Sequence, residues 1–282
     1  MDAQKMQALY GLKWNPFSPD APTEALHRTA KIESFCHRVE SLVLDGGFAM
    51  ISGDPGTGKS AALRLLEERL TQVRDLTVGT LIRPQSGLMD FYREIGGLFG
   101  LSWSVNNRWS NFKSLRDKWQ SHIEATLLRP VLLIDEAQET PSLVLSELRL
   151  LSSMQFDSRS ILTVVLAGDS RLPERFRSPD LHPLGTRIRA RLKMEPAGRD
   201  EMIQVLTQRL AMAGNPNLMT PGLIETLVDH SGGNHRILLH MADEVFAKGM
   251  EKDARQLDEK IYLEIYQPQE PRSRKPAASR RA

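Results

Sequence analysis

The sequence predicts an α/β fold: a parallel sheet flanked by helices on both faces, followed by a small all-helical segment. Three observations predict it. The stretch Gly53-Asp54-Pro55-Gly56-Thr57-Gly58-Lys59-Ser60 fits G-x-x-x-x-G-K-[ST] at every fixed position. A later apolar run, Val131-Leu132-Leu133-Ile134, leads directly into Asp135 and Glu136. Short apolar runs alternate with helical patterns as far as Pro196, the rhythm of parallel strands joined by helical crossovers.

The elements follow in chain order. Gly47-Phe48-Ala49-Met50-Ile51-Ser52 is apolar and bounded by glycine, as a buried parallel strand should be. After the glycine-rich loop, Leu63, Leu66 and Leu70 recur at helical spacing. A plain Gly/Pro turn does not need these flanks; a phosphate-binding loop does. Its glycines let backbone N–H groups curl around phosphate oxygens, and the helix N-terminus adds partial positive charge. Gly53 to Ala61 are therefore expected to bind ATP. Lys59 reaches the β- and γ-phosphates, and the Ser60 hydroxyl binds Mg²⁺.

Residues 76–82 read as the next strand, and residues 88–99 and 111–127 as helices. In the run that ends at Asp135 and Glu136, Asp135 is expected to hold the Mg²⁺ shell and Glu136 to polarise the attacking water. A strand followed by an N-capped helix has the same local pattern. Behind a complete phosphate loop, the adjacent Asp-Glu pair points to nucleotide hydrolysis rather than kinase chemistry. A helix near 142–153 and a strand over Ile161–Ala167 complete the rhythm. From Gly198 the pattern turns helical, with Leu206 and Leu210 in phase and Gly214 as a C-cap. The expected domains are an N-terminal arm (1–28), an α/β ATPase domain (29–196), a helical lid (197–266) and a basic, disordered tail (267–282).

Composition excludes several classes. Hydrophobic residues at 40% and charged residues at 26% suit a soluble globular chain. The single cysteine, Cys36, excludes an intramolecular disulfide and a cysteine-based zinc site. The N-terminus has no apolar signal-peptide core, and no apolar run approaches the roughly 18 residues of a membrane span. A cytoplasmic location is expected. Net charge is +2, with Arg272, Arg274, Lys275, Arg280 and Arg281 set against Glu270 near the C-terminus. The tail is either a solubilising extension or a contact to nucleic acid through phosphate neutralisation.

With these residues in view, the chain resembles an AAA+ ATPase. Beyond the loop and "VLLIDE", the stretch "VVLAGDSRL" resembles the sensor-1 strand, which implies that Asp169 helps place the water or γ-phosphate. "LGTRIRARLKMEP" resembles the segment that offers an arginine finger to a neighbouring subunit. Arg187 stands just before Ile188, where the family's R-[IV] pattern puts the finger. Arg189 and Arg191 are alternatives, and all three also suit a solvated or DNA-facing basic patch. "SGGNHRILLHMADEV" resembles the sensor-2 segment of the lid, with Arg236 toward the γ-phosphate. The opening "LYGLKWNPFSPDAPTEAL" is similar to that of ExeA-type ATPases and of MuB-, TniB- and TnsC-like transposition helpers. In such proteins the comparable segment lies near the adenine, which implicates Pro16 and Phe17.

The transposition-helper resemblance implies a regulator that oligomerises with ATP, as a ring or helical filament, on duplex DNA without sequence preference. It recruits or activates a transposase, with a target-selection protein as a further partner, and hydrolysis disassembles it. Arg83, Gln85, Ser86, Asn107, Arg108 and Lys113 lie in the segments implied to touch DNA, where backbone contacts carry little sequence information. Trp103 and Trp109 flank that loop, either against a partner or as half-buried anchors. The alternative is an ExeA-like ATPase of secretion or envelope assembly with no DNA role. The longer ExeA proteins carry a membrane span and a wall-binding region that do not show here, which favours the helper branch. His230, His235 and His240, five apart, read as ordinary helix-face residues.

Overall fold

The structure is a computed structural model that describes residues 3–101, 107–156 and 158–266. Its central sheet has five strands: β1 (Gly47–Gly53), β2 (Val78–Leu81), β3 (Val131–Ile134), β6 (Thr163–Gly168) and β7 (Ile188–Met194). Their order is β2-β3-β6-β1-β7, and every pairing is parallel. A short antiparallel pair, β4 (Ser153–Met154) and β5 (Arg159–Ser160), stands apart.

β1, β3 and β6 are buried along their whole length, which is why they read as unbroken apolar runs. Their side chains still sort with a period of two. Phe48, Met50, Leu132, Ile134, Val164 and Leu166 enter one core, beneath α4 (Leu88–Leu98), α5 (Arg108–Thr126) and α6 (Ser142–Ser152). Ala49, Ile51, Leu133 and Val165 enter another, beneath α2 (Ala30–Asp45) and α3 (Lys59–Thr71). Each fully buried large side chain of this kind contributes about 1.5–3 kcal/mol. β7 is an edge strand and alternates: Ile188, Ala190 and Leu192 are buried, while Arg189, Arg191 and Lys193 are exposed. Helix α5 starts three residues before the expected 111 because the Asn107 side chain caps it, accepting from the Ser110 N–H.

Two short helices, α7 (Arg171–Arg175) and α8 (His182–Gly185), precede β7, and beyond it the chain is helical: α9 (Arg199–Ala213), α10 (Pro221–Ser231), α11 (His235–Glu251) and α12 (Glu259–Tyr266). Leu206, Leu210, Leu227, Leu238 and Phe246 form their common core. The N-terminal segment belongs to that core. Helix α1 (Ala3–Tyr10), Leu12 and Phe17 insert into it, and the Phe17 ring meets Phe246 edge-on at 5.6 Å. Residues 16–21 are then gripped from both sides. Arg209 of α9 donates to the carbonyls of Pro16 and Ser18 at 3.1 and 3.2 Å. Arg64 of α3 donates to those of Pro19 and Ala21 at 3.1 and 2.7 Å. The basic tail and Trp103 lie outside the described residues.

Candidate nucleotide site

The parallel sheet sets the site. β1 and β3 both pair with β6, and both Met50 and Ile134 sit opposite Leu166. Their C-terminal ends therefore open on one edge, where such sheets bind ligands. The glycine-rich loop leaves β1 there and enters α3. Gly56 and Gly58 hold φ of +85° and +95°, which L side chains rarely adopt. Gly53 is needed for a close approach, since a Cβ there would lie 2.3 Å from the Met194 carbonyl. Thr57 Oγ1 and Lys59 Nζ both donate to the Asp54 carbonyl, at 2.8 and 3.0 Å.

Ser60 Oγ donates to Asp135 Oδ2 at 2.8 Å, joining residues 75 positions apart. Two hard oxygen donors in contact beside a phosphate cradle suit Mg²⁺, which takes one or two protein oxygens and completes its shell with phosphates and water. Among the described residues no cluster of three or more His, Cys, Asp or Glu could hold a metal by itself.

Glu136 has a left-handed backbone, φ +49°. Its N–H donates to Asp135 Oδ1 at 2.9 Å, and its carboxylate accepts from Gln138 Nε2 at 2.5 Å. Gln138 Oε1 accepts from the Asp169 N–H at 3.1 Å. The Asp169 carboxylate is paired with Arg171 at 2.7 Å, and Arg171 also reaches Glu139 at 2.7 Å. The Arg171 guanidinium holds the Asp169 carboxyl below the usual range. The expected sensor aspartate is therefore half of an ion pair.

The helical part closes over the loop. The Asn234 side chain caps α11, accepting from the N–H groups of Arg236 and Ile237, and donates from Nδ2 to the Pro55 carbonyl at 2.9 Å. The His235 N–H donates to the Gly56 carbonyl at 2.9 Å. Between loop, sheet edge and α11 lies a cleft of about 610 Å³. Lys59, Ser60, Ala61, Glu136, Asp169 and Arg236 line it, while Gly53 and Asp54 do not and Asp135 joins it only through its bond from Ser60.

Several expectations need correction. Pro16 and Phe17 do not line the cleft, because the Phe17 ring is taken up by the helical core. The far wall is built instead by Leu26, His27, Thr29 and Ile32, opposite Val205, Arg209 and Leu239. His235 is not an ordinary face residue. It lines the cleft, and burial pushes its imidazole below the usual histidine range. Gln85, expected at DNA, also lines the cleft. Asn107 is occupied as a helix cap. Arg108 pairs with Glu147, which is 1% exposed, at 2.5 Å, and Tyr92 donates to the same carboxylate. Arg83 and Lys113 are exposed, and Ser86 closes a turn onto the Arg83 carbonyl. Trp109 is 72% exposed and stacked on Phe112. Gln138, Arg171 and Asn234 were missed: each has a partner two or three residues away, but the bonds that tie them to the site, to Asp169, Glu139 and Pro55, cross to distant segments.

Arg187, Arg189 and Arg191 all stay out of the cleft. Arg187 and Arg189 border a polar pocket with Arg129 and Arg159, at the opposite ends of the strands. Arg191 donates to the Gly185 carbonyl at 2.9 Å.

A family model described as "AAA domain" matches residues 43–176. That match spans somewhat less than half of the chain, whose fold is of the AAA+ kind. It is 31% identical over 252 residues to the General secretion pathway protein A of Aeromonas hydrophila, a match covering 86% of this chain and 45% of that protein. The chain thus spans about half the length of that relative. The Aeropyrum pernix ORC2 protein, solved in ADPNP–ADP complexes, superposes with a TM-score of 0.70 at 16% identity, over 89% of this chain and 70% of that one. The Aeropyrum pernix ORC1 protein in complex with DNA gives 0.65 at 17%, over 88% and 67%. At such identities the likeness is one of AAA+ fold. Among the described residues, no helix is long and apolar enough to cross a membrane.

Proposed function

We propose that this chain is an ATP-hydrolysing switch whose nucleotide state controls its assembly. The contact between Ser60 and Asp135 beside Lys59, with Glu136 next in the chain, carries this reading. The loop N–H groups and Lys59 hold the phosphates, and Ser60 and Asp135 hold the Mg²⁺ shell. Bound there, Mg²⁺ would neutralise charge developing on the phosphates. Glu136 draws a proton from water as the water oxygen bonds to the γ-phosphorus. The bond from that phosphorus to the bridging oxygen breaks, and ADP leaves with the electron pair. Arg236 and Asp169 flank the γ-phosphate.

Arg187, with Arg189 and Arg191 as alternatives, serves a neighbouring copy's nucleotide, since its own cleft lies at the other end of the strands. A trans arginine is worth about 10³–10⁵ in rate, so an isolated subunit is expected to be slow. The assembly we assign is a cytoplasmic ring or filament on duplex DNA that serves a transposase and a target-selection protein. The opening segment and a fold neighbour solved with DNA support that assignment. Arg83 and Lys113 remain its backbone contacts. A second reading, a secretion-pathway role without DNA, is favoured by the 31% identical relative.

One experiment tests both. Duplex-DNA binding and oligomer size are measured without nucleotide, with ADP and with a non-hydrolysable ATP analogue, and for Glu136→Gln with ATP. ATP-dependent, salt-sensitive assembly on DNA supports the first reading. Assembly that ignores DNA supports the second. A Lys59→Ala chain that still binds ATP at full affinity sinks the nucleotide reading itself.

A further inference from the structure

We infer that Gln138 is a positioning residue that aims the Glu136 carboxylate at the attacking water; the inference rests on the hydrolytic reading of the site. The Gln138 amide stands between two fixed groups, with Nε2 donating to Glu136 Oε2 at 2.5 Å and Oε1 accepting from the Asp169 N–H at 3.1 Å. These partners settle which end of the amide is which. A backbone N–H only donates, and an ionised carboxylate only accepts. Gln138 is 8% exposed, so water competes poorly for either bond. Among the described residues it is the hydrogen-bond donor to that carboxylate.

The neighbourhood is shaped around the bridge. Gly168, at the end of β6, leaves room for it: a Cβ there would lie 2.6 Å from Gln138 Oε1. The Gln138 backbone is fastened as well. Arg175 Nη1 donates to the Gln138 and Thr140 carbonyls at 2.6 and 2.7 Å, and Nη2 to Ser142 Oγ at 3.1 Å. Glu136 is thus referenced through one rigid amide to the neighbouring strand, and not only to its own left-handed turn. Tying Oε2 leaves Oε1 for the water. A bond to an un-ionisable amide also orients the carboxylate without taking its charge, as an arginine partner would. Arg171 spends its charge on Asp169 and Glu139 instead.

The test uses the full chain and steady-state ATP hydrolysis. Gln138→Met keeps length and bulk but removes both bonds. Gln138→Glu keeps an acceptor for the Asp169 N–H and loses the donor to Glu136, which separates aim from loop anchoring. Both variants are expected to lose about 10- to 100-fold in kcat, the scale of a reacting group displaced by about 1 Å. ATP affinity and KM should stay within about twofold, because Gln138 bonds neither Lys59, Ser60 nor Arg236 and meets Asp169 only at its backbone N–H. In a Glu136→Gln background, Gln138→Met should cost nothing further, since it acts through that carboxylate. Unchanged or raised kcat, ATP affinity falling in step with kcat, or an additive loss in the double variant each overturns the inference. Full hydrolysis by Glu136→Gln alone would instead overturn the reading on which it rests.

Discussion

At Gly56 the glycine-rich loop passes against Asn234 of α11, and replacing that glycine with alanine has a cost that can be worked through. At φ +85° an L-residue is strained by about 1–2 kcal/mol. The new Cβ would lie 2.1 Å from Asn234 Oδ1 and 2.6 Å from its Cγ and Nδ2, so Asn234 must leave. Its departure removes the cap of α11, about 1 kcal/mol, and the bond to the Pro55 carbonyl, a net loss of about 1 kcal/mol. Gly56→Ala is therefore expected to destabilise by about 3–4 kcal/mol, and Asn234→Ala by about 2 kcal/mol. The double variant has no side chain left to collide. It should cost no more than Gly56→Ala alone, a coupling near 2 kcal/mol. Urea unfolding of the four proteins measures it. Additivity within about 0.5 kcal/mol would refute the close approach of lid and loop. ATP affinity should fall in both single variants, since the contact ties α11 to the glycine-rich loop.

Arg108→Ala leaves the buried Glu147 carboxylate with Tyr92 as its remaining donor, so a loss of about 1–3 kcal/mol is expected in urea unfolding; an unchanged midpoint would return Arg108 to the list of surface contacts. Burial, reinforced by the nearby His27 and Arg209 and opposed by Glu201, lowers the pKa of His235. Between that lowered value and the ordinary 6.5, the unfolded chain binds a proton and the folded chain does not, so stability should drop as pH falls through this window. His235→Gln should flatten that part of the stability-versus-pH curve, and a curve of unchanged slope would contradict the assignment. Cys36 is buried, and its thiol is pushed up to about 11, so it should react with a thiol reagent at neutral pH only after unfolding; prompt reaction in the native state would show otherwise.

The sequence by itself determined the parallel sheet, the phosphate loop and the Asp135–Glu136 strand end. Each is a local pattern: unbroken apolar runs where a strand is buried on both faces, and glycines where backbone must approach phosphate. Its resemblance, rather than a period, also singled out Arg236, which lines the cleft from α11. Only the tertiary structure decided what faces these elements. Phe17 entered the helical core instead of the cleft, and Arg108 was claimed by Glu147, 39 positions away. Gln138 found its second partner 31 positions on, at Asp169, and Asn234 reached Pro55 across 179. Periodicity records which side of a helix or strand avoids water. It carries no record of which polar group waits on the opposing element, because that pairing exists only once the cores have set the distance between them.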